Sequence, residues 1–195
     1  MKILFISLGC DKNLVDSEEM LGLLNSRGYT FTDDETEADV IIINTCCFIN
    51  DAKEESVQTI LEMAEYKKTG KCKALIVTGC MAQRYNQVLG TTAYEKIVEA
   101  VDEALAGSRG VEEKPLSYLP QTDAKRMVTT GGRYAYLKIA EGCNKCCTYC
   151  IIPKLRGRYR SVPMERLIEQ AKELAEQGVK ELILVAQETT VYGVD

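Results

Sequence analysis

Nine cysteines and no histidine stand in a chain of 195 residues. Those two counts narrow the available chemistry. Without imidazole, the commonest general base and the commonest zinc ligand are both missing. Thiolates remain, soft ligands that suit iron–sulfur clusters or an all-cysteine zinc site. Cys143, Cys147 and Cys150 lie within EGCNKCCTYCIIP with the spacing C-x-x-x-C-x-x-C. Three thiolates on one short loop can wrap three irons of a cubane cluster and leave the fourth iron open to a non-protein ligand. Two plainer readings stay open at this point. A zinc knuckle wants four ligands with paired C-x-x-C spacing, and the loop offers one such pair. A thioredoxin-like dithiol of Cys147 and Cys150 should open a helix, whereas here a proline and a basic run follow.

Cys10, Cys46 and Cys80 are far apart in sequence but share one context. Each follows a short apolar run: Lys2–Leu8, Val40–Asn44 and Ala74–Thr78. If these runs are parallel strands, the three thiols collect at the carboxyl edge, where open α/β sheets bind ligands. The plainer alternative is three inert buried cysteines. Cys47, Cys72 and Cys146 fit neither trio and read as spare or packing thiols. Adjacent side chains of an extended chain point opposite ways. Cys46 is therefore taken as the ligand and its neighbour Cys47 as the spare. Lys154, Arg156, Arg158 and Arg160 place four cations in seven residues. Such a run is either a solvated face or a surface for an anionic ligand or partner.

The elements that must position these residues alternate between strand and helix. Asp16 reads as the cap of a first helix, with Leu14, Met20, Leu21 and Leu24 on its apolar face and Gly28 as its stop. Residues 51–68 read as an amphipathic helix presenting Val57, Ile60, Leu61 and Ala64. Another helix is expected over about 93–105. This rhythm implies an α/β fold, a parallel sheet with helices on both faces. Residues 106–132 lose it, contain Pro115 and Pro120, end in Gly131-Gly132, and read as a linker. A second unit then opens with a strand at Tyr134–Ala140. Ser161 and Pro163 introduce a helix with Leu167, Ile168, Ala171, Leu174 and Ala175 facing inward, closed by Gly178. Glu181–Ala186 reads as a further buried strand. Gln187 follows it, on the edge where barrel enzymes gather ligand contacts, and is either near a bound cofactor or a solvent-facing loop residue. One strand–helix–strand unit is far short of a closed eight-fold barrel, which needs about 250 residues. The expected organisation is thus 1–105, a linker at 106–132, and at 133–195 the start of an incomplete TIM-like barrel, as in a fragment of a longer protein.

Composition sets the outer limits. Hydrophobic residues are 46% and charged residues 27%, the balance of a globular protein. The net charge is −5, from 24 basic and 29 acidic side chains. Residues 133–195 hold ten basic and eight acidic ones, a mild asymmetry without the dense basic stripe of a DNA-binding domain. No apolar run approaches a membrane span, and the amino terminus lacks the pattern of a signal peptide. A cytoplasmic protein with no membrane partner is expected, and an odd cysteine count in that compartment argues against a disulfide framework.

The loop GCNKCCTYC resembles the cluster-binding loop of radical S-adenosylmethionine enzymes. LGCDKNLVDSE, INTCCFI and VTGCMAQRY are similar to the amino-terminal domain of methylthiotransferases. Within that family, GCDKNLVDSE at 9–18 and LVAQETTVYG at 184–193 look like the branch that modifies a ribosomal protein. The tRNA-modifying branch tends to carry Gln-Met after its first cysteine and a Gln-Asn-Val stretch later, and is the second choice. The resemblance implies two 4Fe–4S clusters. Cys143, Cys147 and Cys150 would hold the one that binds S-adenosyl-L-methionine, with Gln187 near that cofactor. Cys10, Cys46 and Cys80 would hold an auxiliary cluster carrying the sulfur to be inserted. It further implies a methylthiotransferase acting on the β-carbon of an aspartate in small-subunit ribosomal protein twelve, served by an electron donor such as flavodoxin or ferredoxin. Family members carry a complete barrel and a carboxyl-terminal substrate domain, so the fragment alone is expected to be inactive. Outside the family, an iron–sulfur carrier protein and a zinc-binding module remain the competing classes.

Overall fold

The computed structural model describes residues 1–85, 89–108, 114–122 and 124–195. Its first half is built on β1 (Lys2–Ser7), α1 (Asp11–Ser26), β2 (Thr30–Phe31), β3 (Val40–Thr45), α2 (Asn50–Thr69), β4 (Ala74–Gly79), α3 (Cys80–Tyr85), a 3-10 turn (Tyr94–Lys96) and α4 (Ile97–Leu105). The four strands form one parallel sheet in the order β2-β1-β3-β4. Central β3 is buried along its whole length, as a run of β-branched apolar residues covered on both faces should be. Alternation divides its side chains. Val40 and Ile42 join Ile3, Ile76, Met20 and Leu24 of α1, and Ile97 and Val101 of α4. Ile41 and Ile43 join Leu4, Cys72 and Met63 of α2 on the other face.

Two local expectations are corrected here. Helix α1 begins at Asp11 with Cys10 at its N-cap, so Asp16 lies mid-helix and caps nothing. Its carboxylate is taken by two buried cations, Lys138 and Arg156. On α2 the inward positions are Ser56, Ile60 and Met63, Ile60 as expected, while Val57 and Leu61 are exposed. The helix is rotated because the Ser56 hydroxyl accepts from the Cys46 backbone N–H at 3.1 Å and donates to its carbonyl at 2.8 Å.

The second half holds β5 (Tyr134–Lys138), β6 (Ala140–Glu141), α5 (Ile152–Arg156), β7 (Arg160–Ser161), α6 (Met164–Glu176) and β8 (Glu181–Val185). β5 and β8 pair in parallel, with α6 as the crossover between them. The run expected as one strand to Ala140 is broken after Lys138, because Ala140 and Glu141 turn away to pair antiparallel with β7. On α6, Leu167 and Leu174 are buried and Ala171 packs beside Leu167. Ile168 and Ala175 are exposed instead, one position further round the helix, where no described residue covers them.

The segment expected as a linker does not run free where it is described; its residues 109–113 and 123 lie outside the described ones. Glu18 of α1 takes the backbone N–H and hydroxyl of Thr129 and an ion pair from Arg126. Tyr118 and Lys114 bind Glu95. Among the described residues no helix is long and apolar enough to cross a membrane.

Candidate active site

All three strand-end thiols of the first sheet sit where the parallel order puts them. Cys10 caps α1, Cys46 follows β3, and Cys80 opens α3 directly after β4. The glycines before Cys10 and Cys80 make this crowding possible. Gly9 has φ +102°, and a Cβ there would meet the Cys46 Cβ at 2.8 Å. Gly79 has φ +90°, and a Cβ there would meet the Asn44 side-chain oxygen at 2.2 Å. Both conformations favour glycine, and any side chain would push the strand ends apart.

Asn13, fully buried on α1, ties these ends together. Its amide nitrogen donates to the carbonyls of Leu8 at 3.0 Å and Thr45 at 3.1 Å. Its side-chain oxygen faces the Cys80 sulfur at 3.8 Å. Asn44 in turn donates to the Asn13 carbonyl at 2.9 Å.

The second trio lies on the loop after β6. The Cys143 N–H donates to the Gly157 carbonyl at 3.1 Å, and Cys150 N–H to the Cys147 carbonyl at 3.0 Å. Lys145 pairs with Glu188 beyond β8 and holds that carboxyl down at about 2. This ion pair staples the cysteine loop to the neighbour of Gln187.

The two trios meet. Cys10, Cys46, Cys80, Cys143, Cys147 and Cys150 all line one open cavity of about 1130 Å³, together with Arg156, Gln187 and Glu188. Both polar atoms of the Gln187 carboxamide are buried without a hydrogen-bond partner among the described residues. An orphaned amide of this kind is costly unless something completes it. Soft thiolates around a roomy cavity, with an unsatisfied donor and acceptor on its wall, fit iron–sulfur clusters and a polar organic cofactor. Among the described residues, no group of three or more cysteine, aspartate or glutamate side chains closes up as a site for a single metal ion.

The remaining thiols are placed elsewhere. Cys47 turns away from the cavity and packs with Cys80, Met81 and Leu155. Burial pushes its thiol up, with Arg84 opposing. Cys72 packs on the α2 face of the sheet, and Cys146 is exposed. Removing Cys47 as alanine should therefore leave iron retention after anaerobic reconstitution nearly unchanged, whereas Cys46→Ala should strip or weaken one site. Iron analysis of the two single variants checks this. A Cys47→Ala chain that loses a site while Cys46→Ala keeps it reverses the assignment.

The basic run is not one surface. Lys154 and Arg158 are exposed, but Arg156 is 2% exposed. Its Nη1 donates to Asp16 at 2.9 Å and Glu141 at 3.0 Å, and its Nη2 to Asn13. Lys138 pairs with the same two carboxylates. Burial alone would push the Glu141 carboxyl up, but Arg156 and Lys138 outweigh it and hold it low. Periodicity could not reveal this network, since buried polar residues break the apolar pattern it reads. The one available signal was the adjacency of the basic run to the cysteine loop.

A parallel sheet with three thiols on its carboxyl edge, together with a second strand–helix–strand unit carrying three more on one loop, gives a protein with six cysteines around one cavity. The chain belongs to the family described as uncharacterized protein family UPF0004, whose model matches residues 2–100, and its residues 137–194 match the Radical SAM superfamily. Along its whole length it is 65% identical to the ribosomal protein uS12 methylthiotransferase RimO of Lachnoclostridium phytofermentans, covering 47% of that relative. It is 50% identical to the protein of the same name in Clostridioides difficile, over all of this chain and 46% of the relative. Another of that name, from Desulforamulus reducens, is 50% identical over 97% of this chain and 46% of its own. The chain thus spans about half the length of the curated relatives it matches. These matches agree with the resemblance to radical S-adenosylmethionine methylthiotransferases carried by the cysteine motifs.

Proposed function

We propose that this chain supplies the cluster-binding part of a methylthiotransferase that acts on an aspartate β-carbon of small-subunit ribosomal protein uS12. The observation that carries the reading is the single cavity lined by both cysteine trios. Insertion of sulfur at an unactivated carbon needs a hydrogen-abstracting centre and a sulfur-bearing centre within reach of one substrate atom. When bound, the loop cluster with S-adenosyl-L-methionine supplies the hydrogen abstraction and the auxiliary cluster carries the sulfur, the hard chemistry being the cofactors'. Cys143, Cys147 and Cys150 would hold the first and Cys10, Cys46 and Cys80 the second. The protein's part is position. Asn13 and Ser56 fix the strand ends, and the Lys145–Glu188 pair fixes the loop. An electron donor such as flavodoxin or ferredoxin serves the loop cluster, and the proposed site of action is the cytoplasm. The units are 1–105 and 133–195, joined by 106–132.

The test uses a longer protein that contains this chain, reduced and supplied with S-adenosyl-L-methionine. It is given uS12 and, separately, tRNA. A mass increase equal to the replacement of one hydrogen by a methylthio group on uS12 supports the reading; the same gain on tRNA alone transfers the chain to the tRNA-modifying branch. The names of the relatives favour the ribosomal protein.

Gln187 is the proposed cofactor contact. A carboxamide can accept from an ammonium and donate to a carboxylate, the two groups of the methionyl end. Hydrogen bonds to charged groups are worth about 1.5–3 kcal/mol, so Gln187→Ala should weaken cofactor binding roughly tenfold or more. Calorimetric titration of the reconstituted protein reads this, and an unchanged affinity removes Gln187 from the site.

A further inference from the structure

We propose that Arg156, carried by the second unit, is a positioning residue for the thiol trio of the first, its buried guanidinium supporting Cys80 so that the first trio is completed across the two halves of the chain. The inference rests on the reading of Cys10, Cys46 and Cys80 as one thiolate site.

The guanidinium is split between two tasks. Nη1 donates to the carboxylates of Asp16 and Glu141. Nη2 points the other way, to the side-chain oxygen of Asn13 and to the Cys80 sulfur at 3.8 Å. Lys138 already pairs with both carboxylates. Beside Glu19, whose carboxyl burial pushes up, the buried group pairs two cations with two carboxylates before any thiolate is counted, and Arg156 still has an N–H to offer sulfur. Asn13 receives Nη2 while holding the ends of β1 and β3 through Leu8 and Thr45. One side chain of α5 thus reaches the Cys80 sulfur directly and the other two strand ends through Asn13. Cys80 needs that support. It is the most enclosed of the trio, 5% exposed, and burial disfavours the charged form of a thiol that must act as a thiolate ligand. A buried cation with an N–H aimed at the sulfur offsets that penalty, and charge-assisted bonds are the strong ones. Hydrogen bonds to ligating sulfurs and local net charge are also the levers by which a protein sets cluster potential.

Lysine separates this role from a purely structural one. A lysine ammonium can replace one arm of the fork but cannot present two nitrogens in opposite directions. Arg156→Lys should keep the ion pairs with Asp16 and Glu141 and lose the contact with Cys80. The experiment is run on the full chain carrying Cys143→Ala, Cys147→Ala and Cys150→Ala, so that the first trio is read alone. Cadmium ion is titrated anaerobically into the metal-free protein and followed by sulfur-to-cadmium absorption. Loss of an outer-shell partner commonly costs roughly 10–100-fold in metal affinity. That loss is expected for Arg156→Lys, at a thermal midpoint near the parent's. The reconstituted variant should also show a lower reduction midpoint, since a hydrogen bond to a ligating sulfur is lost while the charge stays. Should the lysine variant fail to fold, the charge-balanced Arg156→Gln/Glu141→Gln chain takes the same titration, with the same expected loss. Equal cadmium affinity in a folded variant and its parent overturns the role of Arg156. A parent that binds no cadmium overturns the trio reading itself, and the inference with it.

Discussion

Replacing Cys143, Cys147 and Cys150 together by alanine removes about half the iron that the anaerobically reconstituted chain holds, each trio being taken to hold one cubane cluster. The expectation follows from where the six thiols are anchored. Cys10, Cys46 and Cys80 hang from three strands of one sheet, with Asn13 and Ser56 fixing their backbones. Cys143, Cys147 and Cys150 hang from a loop held by Gly157 and by the Lys145–Glu188 pair. No ligand is shared, so emptying the loop should leave the sheet edge intact. The reciprocal triple, at Cys10, Cys46 and Cys80, should leave the other half. A loop triple that keeps all its iron, or loses all of it, contradicts two independent sites around one cavity.

Lys138→Met should be among the most destabilising single changes outside the apolar core. The ammonium is 6% exposed, pairs with Asp16 and Glu141, and lies 5.1 Å over the Tyr94 ring. Burial opposes its charge, but Asp16 and then Glu141 outweigh that and favour the ammonium. Methionine of similar length leaves two buried carboxylates to share Arg156 alone. Breaking a buried pair from one side costs roughly 3–5 kcal/mol. For a chain of this size that lowers the melting temperature by roughly 6–20 °C. Exposed Lys68, paired with Glu65 on α2, gives the control. Its methionine variant should move stability by less than about 0.5 kcal/mol. Differential scanning calorimetry compares the two, and equal melting points would show that the buried group contributes little.

How much of this was legible in the sequence depended on the kind of signal. Val40–Ile43 announces a strand buried on both faces, and the structure makes it the centre of the sheet. From there the placement of Cys10, Cys46 and Cys80 on one edge follows from the direction of parallel strands. The spacing of Cys143, Cys147 and Cys150 was equally plain. Helix faces were less legible. The rotation of α2 is set by the Ser56 hydroxyl on the Cys46 backbone, a polar contact that apolar periodicity does not register. Asp16 has the residue type of a cap but lies mid-helix, because its partners come from Lys138 and Arg156, more than 120 positions away. The same holds for Arg156, whose neighbours in sequence are exposed cations while its neighbours in space are buried acids. Local pattern locates strands and the thiols at their ends; the buried charges between the two halves are set by tertiary contacts alone.

The central claim is that the two trios are distinct centres serving one reaction space, with the loop centre binding the cofactor. Electron paramagnetic resonance of the reduced, reconstituted chain, recorded with and without S-adenosyl-L-methionine, tests it most directly. The account predicts that the cofactor changes the spectrum of the wild type and of the variant lacking Cys10, Cys46 and Cys80, and leaves that of the variant lacking Cys143, Cys147 and Cys150 unchanged. A cofactor-induced change in this last variant, or none in the wild type, would contradict it.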